Sequence, residues 1–365
     1  MEEKGKKGRM DYTLLLIVVL LVVIGLVILY STSAYNGQVK FHDSFYYLKK
    51  QAFATVLGIV LMLFVAGMDY HIWQRLAVFG YLAAVALSVA VMLFGREING
   101  SKRWLALGPF SFQPSEFAKV ALILFLADLV TKNVKTIGKM WTLCRIMFWI
   151  LPIVGLVGAS NLSTAIIILG IGVILIFVAS PKYAQFALMG IAGACFMGIF
   201  LALESYRLER LAIWRNPEKY EKGYQTLQGL YAIGSGGVFG VGIGNSVQKL
   251  GFVPEAQNDM IFSIICEELG LFGAICLILL FILLIWRMMV IANNARDLYG
   301  SLLVIGVMSH IAIQVILNIA VVTNSLPNTG VILPFISYGG TSIIFLMAEI
   351  GLVLSVSRGI RLENV

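Results

Sequence analysis

Val253-Pro-Glu-Ala-Gln-Asn-Asp-Met-Ile-Phe-Ser-Ile-Ile-Cys-Glu-Glu-Leu-Gly270 joins two physical regimes of this chain. It closes a long polar segment, 204–259, and opens an apolar run that continues to about 286. Such a run is long enough to cross a bilayer, whose ~30 Å hydrocarbon core takes about 20 helical residues. Asp259 stands at the junction, an acid next to lipid-soluble sequence.

The same character extends outward in both directions. The 365 residues are 59% hydrophobic and 13% charged, with a mean hydropathy of +0.91. Soluble domains are about half apolar and about a quarter charged. The apolar runs are too long and unbroken for barrel strands. An all-α polytopic membrane protein is therefore expected, with about ten spans near 12–30, 51–67, 76–94, 116–131, 146–160, 162–179, 184–203, 260–286, 300–322 and 339–356. The fifth and sixth spans abut. The chain reads as a single transmembrane domain over 1–365, with tails at 1–10 and 357–365 and no cleavable signal peptide.

Lysine and arginine set the orientation. With the N-terminus inside, the inner segments carry fourteen basic residues, among them Lys4, Arg9, Arg75, Lys132, Lys182, Arg287 and Arg358, and the short outer loops carry six. Both termini are thus expected in the cytoplasm, with 204–259 as a large extracellular loop between the seventh and eighth spans. The net charge of +8 sits at helix ends rather than in a solvated patch, which argues against nucleic acid. Cys144, Cys195, Cys266 and Cys276 lie in or beside apolar runs without metal-type spacing and read as small core residues. The run Gly234-Ser-Gly-Gly-Val-Phe-Gly-Val-Gly-Ile-Gly244 lacks a Gly-Lys-Ser/Thr ending. It reads as tight turns and close backbone approach in a re-entrant or surface segment rather than a phosphate loop.

Three clusters carry candidate chemistry. The first is centred on Asp259, with Glu255, Gln257 and Asn258 on the same lip and Ser263 and Glu267 at four-residue steps beyond. Asn258 or Asp259 could cap the following helix; alternatively Asp259 is a base at the membrane surface. The second is Asn99 to Lys119. Pro114, Ser115 and Glu116 read as a helix start with Ser115 as cap. Glu116 and Lys119 form an ion pair at i,i+3, or Lys119 and Arg103 make a cationic site for a pyrophosphate. The third is the loop Asn324 to Ser342, whose prolines and glycines suggest a packed re-entrant segment. Before it, His310, Gln314 and Asn318 recur every four residues and should face the bundle interior. Glu267, Glu268 and Glu349 are intramembrane acids that sequence does not rank as functional or structural.

Together these clusters resemble the SEDS family, the FtsW/RodA/SpoVE-like shape, elongation, division and sporulation proteins. The resemblance is carried by Gly100-Ser-Lys-Arg-Trp104, Phe112-Gln-Pro-Ser-Glu-Phe-Ala-Lys119, Tyr224 to Gly244, Val253 to Gly270 and Pro334-Phe-Ile-Ser-Tyr-Gly-Gly-Thr-Ser342. It implies a peptidoglycan glycosyltransferase that polymerises lipid II on the outer face of the bacterial cytoplasmic membrane, beside a class B penicillin-binding protein acting as transpeptidase. It also implies that the essential aspartate is Asp259. The substrate contacts expected on this reading are Arg103, Gln113, Ser115, Glu116, Lys119, Lys249, Glu255, Ser337 and Tyr338. Many family members have Pro-Asp-Leu-Gly-Thr where this chain has Ser160-Asn-Leu-Ser-Thr164, and some have Arg where it has Ser111. A donor phosphate would then depend on Lys119, Arg103, Lys249 or a divalent cation, Mg or Mn, that Asp259 could help hold. The rival readings are a lipid II flippase and a non-catalytic scaffold for the penicillin-binding protein.

Overall fold

The computed structural model describes residues 10–98, 101–107, 110–182, 185–187, 190 and 212–360. Most of the span expected at 184–203, the start of the segment 204–259, Cys195 and the extreme tails lie outside the described residues. The helices are α1 (Tyr12–Phe41), α2 (Tyr46–Gly67), α3 (Tyr70–Phe94), α4 (Pro114–Asn133), α5 (Met140–Ser160), α6 (Leu162–Ala179), the short α7 (Tyr224–Ser235), α8 (Ile261–Asn293), α9 (Leu298–Val322) and α10 (Gly340–Ser357). Eight are long and apolar enough to cross a membrane. At 20 residues α4 is also long, but it carries Glu116, Lys119, Asp128 and Lys132. The helices outrun the expected spans because hydropathy marks only the part in hydrocarbon, and hydrogen bonding carries each helix beyond it.

Local chemistry fixes the ends. Asp11 accepts from the Leu14 N–H at 2.9 Å to start α1. Asp69, Asn161 and Asp297 likewise cap α3, α6 and α9. Asn161 is extended and breaks α5 from α6, which resolves the abutting pair. Helix α4 begins with Pro114 in its first turn and Gln113 at the cap position without a side-chain bond, so Ser115 is not the cap. Proline is suited to a position where the N–H has no helical partner.

The all-α expectation is qualified at one place, since the segment before α4 is partly sheet. Strands β1 (Arg96–Ile98), β2 (Ser101–Leu107) and β3 (Phe110–Phe112) form an antiparallel meander in that order. Arg96 is opposite Trp104, and Leu105 is opposite Phe112. Short strands separated by turns carry little hydropathy signal next to 20-residue spans. The run expected at 260–286 is also not one regular helix. Gly270 has φ 68° and ψ −169°, a backbone state that glycine tolerates and other residues rarely adopt. The glycine-dense run packs against this break. Leu271 and Phe272 N–H groups donate to the Gly237 and Val238 carbonyls, each at 3.0 Å, and Val241 and Gly242 N–H groups donate to the Glu267 and Glu268 carbonyls at 3.0 and 2.9 Å. The break therefore leaves these backbone groups satisfied, as burial in lipid or protein requires.

The core runs through the middle of the bundle. In α9 and α10, 72% and 78% of the membrane-crossing window is buried, against 28% in α3 and α8. The central pair meets α4, α6 and α2, and the apolar outer faces of α1, α3 and α8 are left exposed. At the end away from Asp259, Arg287 Nε pairs with Asp11 Oδ2 at 2.8 Å.

Candidate active site

Seven acids are buried among the described residues: Asp11, Glu116, Asp128, Asp259, Glu267, Glu268 and Glu349. A buried carboxylate is costly unless paired or hydrogen-bonded, so the partner of each is informative. Asp11 has Arg287. Asp128 has Lys132 at 2.6 Å and Gln74 at 2.9 Å. Glu116 has Lys119 at 2.9 Å. Glu268 has Lys249 at 2.7 Å and the Ser31 hydroxyl. Glu267 accepts from Ser246 Oγ and from the Val247 N–H at 3.0 Å. Glu349 faces His310 Nδ1 at 2.8 Å. Asp259 differs: among the described residues its side-chain partner is Gln225, whose Nε2 stands at a long 3.4 Å.

Asp259 is also not a helix cap. Helix α8 starts at Ile261 with Met260 at the cap position and no side-chain cap bond. The carboxylate sits in the turn before the helix, 9% exposed. Burial is the largest influence on it and pushes its pKa from 3.8 up to about 6; repulsion from Glu255 adds to this, while bonds from its own N–H, Gln225 and the Met260 N–H partly offset it. A carboxylate with a pKa near 6 is mostly ionised at neutral pH yet accepts a proton readily, as a general base must.

The surroundings are polar loop rather than dry helix packing. Gln225 opens α7, and its Oε1 accepts from Asn328 Nδ2 at 3.1 Å. Asn318 Nδ2 on α9 donates to the Asp259 carbonyl at 2.8 Å and to the Val331 carbonyl at 2.7 Å. The loop between α9 and α10 is thereby tied to the Asp259 turn. Gly330 lies on the Oδ2 side: a Cβ added there would be 3.8 Å from Oδ2, on a backbone with φ +66°. The Tyr338 N–H donates to the Gln257 carbonyl at 2.9 Å.

The residues expected to contact substrate divide into two groups. Glu255 is exposed, has φ 53°, and acts electrostatically on Asp259. Arg103 lines a narrow cleft with Ser115 and Asn161, and its Nε donates to the Ser160 carbonyl at 3.0 Å. Gln113 and Ser115 are half-buried at the start of α4. The other group is committed to the interior. Lys119 is 2% exposed, paired with Glu116, and 3.5 Å from Gln314 Oε1. Lys249 is buried against Glu268, with Ser31 at 2.9 Å. Burying an ammonium requires a counter-charge, and these two have theirs. Lys119 and Lys249, expected to grip a pyrophosphate, are each engaged in an internal ion pair in this structure, Lys119 with Glu116 and Lys249 with Glu268. Ser337 is buried, and its hydroxyl accepts from the Leu333 N–H at 2.9 Å. The Tyr338 ring stands edge-on to Tyr47. Both pin the loop.

The polar stripe on α9 has its interior role. His310 Nε2 lies 2.8 Å from Gln314 Oε1, and Gln314 Nε2 donates to the Ile332 carbonyl at 3.0 Å. Asn318, one turn on, reaches Asp259 itself. Gln225 lies in the Tyr224 to Gly244 segment that carries the resemblance, but as one amide in a polar stretch it did not stand out within it. Asn328 and Gly330 fall inside the loop singled out above without standing out within it.

A family model described as "Cell cycle protein", for FtsW, RodA and SpoVE, matches residues 12–362. The chain belongs to the FtsW/RodA/SpoVE family. Within that family it is 40% identical to stage V sporulation protein E of Bacillus subtilis, over 97% of this chain and 98% of the relative. It is 36% identical to the probable peptidoglycan glycosyltransferase FtsW of Trichlorobacter lovleyi, over 96% of this chain and 94% of that one. Its fold is similar to a chain of a peptidoglycan synthase complex solved to show how polymerization and crosslinking are coordinated, with TM-score 0.84, 29% identity and coverage of 97% and 99%. The rod shape determining protein RodA of Thermus thermophilus matches with TM-score 0.71 and 28% identity, over 96% of this chain and 97% of that one. This FtsW/RodA/SpoVE-family chain is a multi-pass bacterial membrane protein.

Proposed function

We propose that the chain is a peptidoglycan glycosyltransferase that polymerises lipid II at the outer face of the cytoplasmic membrane, with Asp259 as the general base. The observation that carries this is the contrast among the buried acids of the described residues: six have a cation or a short side-chain hydrogen bond, and Asp259 has a single long side-chain contact beside backbone N–H bonds while its pKa stands near 6. The names of its relatives support the same chemistry.

In the reaction, a hydroxyl of the acceptor sugar attacks the anomeric carbon of the donor. The bond from that carbon to the lipid pyrophosphate breaks, and inversion turns the α linkage into β. Asp259 takes the hydroxyl proton as the new bond forms, a contribution of typically ~10²–10⁴-fold. A single displacement needs no covalent enzyme nucleophile. Height along α8 supports this use of the site. Gly270 is about 26 Å from Arg287 at ~1.5 Å per residue, and Ile261 is at most about 14 Å further. The Gly270 break thus stands near the far boundary of a ~30 Å hydrocarbon core, and the Asp259 turn belongs to the polar segment on that side, towards the level of a lipid pyrophosphate.

A divalent cation fits the donor set only when shared with substrate. No group of three metal-ligating side chains is present among the described residues, but Mg²⁺ is commonly held by one or two carboxylates plus substrate phosphates. Asp259 and Glu255 would hold it, and it would neutralise charge on the departing pyrophosphate. The flippase reading is weakened because the deep polar groups Glu116, Lys119, His310 and Glu349 are paired and buried rather than lining a path. Partnership with a class B penicillin-binding protein follows from the same reading. The test feeds labelled lipid II to the purified chain with its partner. Asp259→Asn should abolish polymer while staying folded; polymer at the wild-type rate would remove the base assignment, and no polymer from the wild-type chain would favour a scaffold.

A further inference from the structure

The run from Gly234 to Phe252 reads as part of a polar connection, but its side chains are arranged inside out for a segment in water. Its large apolar residues point outward: Val238, Phe239, Val241, Ile243, Val247 and Phe252 are between 44% and 79% exposed. Two of its polar groups, Ser246 and Lys249, point inward, and Asn245 stays exposed. Lys249 is its single charged residue, and that ammonium is buried against Glu268. Ser246 bonds Glu267. The backbone at 237–242 is knitted to the two sides of the Gly270 break.

The exposed apolar surface is continuous with the outer stripe of α8. Phe239 meets Phe272 with ring centroids 6.5 Å apart. Leu271, Phe272, Ile275, Leu279 and Ile282 follow on α8, exposed at helical spacing, as a lipid-facing stripe does. Its height agrees. At about 26 Å along α8 from Arg287, the break stands near the far boundary of a ~30 Å core. A segment with an apolar outer face and an internally satisfied backbone is suited to the headgroup–acyl boundary, where such elements insert by about 5–10 Å.

We infer that residues 237–252 form an interfacial anchor inserted among the acyl chains of the leaflet on the Asp259 side. The occupant of its apolar face is bilayer lipid, not water, a partner protein or a second copy of the chain. The inference is independent of the catalytic role of Asp259. Through α7 and the turn at 253–259, the anchor also sets how high the Asp259 turn rides above the lipid.

The test uses the full chain in nanodiscs of phosphatidylethanolamine and phosphatidylglycerol. Spin labels are placed singly at Phe239, Ile243 and Val247 after replacing the four native cysteines. Leu271 on α8 serves as a lipid reference and Glu218 as a water reference. The expected result is oxygen accessibility at least several-fold above that of a water-soluble nickel chelate at all three sites, matching Leu271. Ready access of the chelate, as at Glu218, would overturn the inference, and so would exclusion of both probes, which indicates cover by protein. The unmodified chain in nanodiscs containing a diazirine phospholipid gives an answer without substitutions. Label should appear on peptides covering 238–252, and its absence there alongside label on 271–286 would also overturn the inference.

Discussion

Replacing Asp259 by asparagine should separate stability from activity, with a sign that depends on pH. The fold raises the carboxyl from 3.8 to about 6. Between those values the folded chain holds a proton that the unfolded chain has released. Stability from that proton is complete below the unfolded pKa and is lost as pH rises through the folded one. At pH 7.5 the ionised carboxylate leaves the fold weaker by the full shift, ~3 kcal/mol at about 1.4 kcal/mol per unit. An asparagine does not ionise. Asp259→Asn should therefore match the wild type in thermal unfolding near pH 4 and exceed it at pH 7.5, by up to that amount. Polymerisation should go the other way. Wild-type turnover, with chemistry rate-limiting, should fall about tenfold from pH 7.5 to pH 5 as the base is protonated, and the variant should lose ~10²–10⁴-fold at pH 7.5. The assays are unfolding scans across pH and polymer formation from labelled lipid II. A variant less stable than wild type at pH 7.5, or a wild-type rate flat from pH 5 to 7.5, would refute the reasoning.

Three further outcomes follow from named contacts. Gln225→Ala removes the amide that favours the ionised carboxylate, so the acid limb of the pH–rate profile should move to higher pH by a fraction of a unit; an unmoved limb would mean the long contact carries no energy. Gly330→Val forces a side chain onto a backbone with φ +66° and towards Oδ2, and should cut polymerisation more than tenfold while the helical circular dichroism stays unchanged. Lys249→Met leaves Glu268 buried without its cation, which typically costs about 3–5 kcal/mol. Adding Glu268→Gln should restore most of the loss of thermal stability; if the double variant is no better than the single one, the pair is not the source of the cost.

The membrane class, most of the span positions and the helix starts at Asp11, Asp69, Asn161 and Asp297 were legible because hydropathy and capping act within a few residues. Asp259 was legible for a similar reason: an acid abutting an apolar run stands out locally. The same sequence did not distinguish a cap from a free carboxylate at that position. That depended on α8 starting two residues later, with Met260 at the cap position.

What only the tertiary structure decided was the fate of the other charges. Lys119, Lys249 and Asp259 all read from sequence as polar groups near the outer rim. Two of them are neutralised inside. Lys249 and Ser31 meet Glu268 across separations of 19 and 237 residues, and such pairings leave no trace in local composition. The break in α8 is a similar case. Gly270 advertised flexibility, but the partner for its opened backbone came from the glycine run 237–242. Hydropathy is a property of a stretch, so the sequence carries it alone. Whether a buried charge is spent or available is a property of what the fold brings beside it, and among the described residues that difference sets Asp259 apart from the six other buried acids.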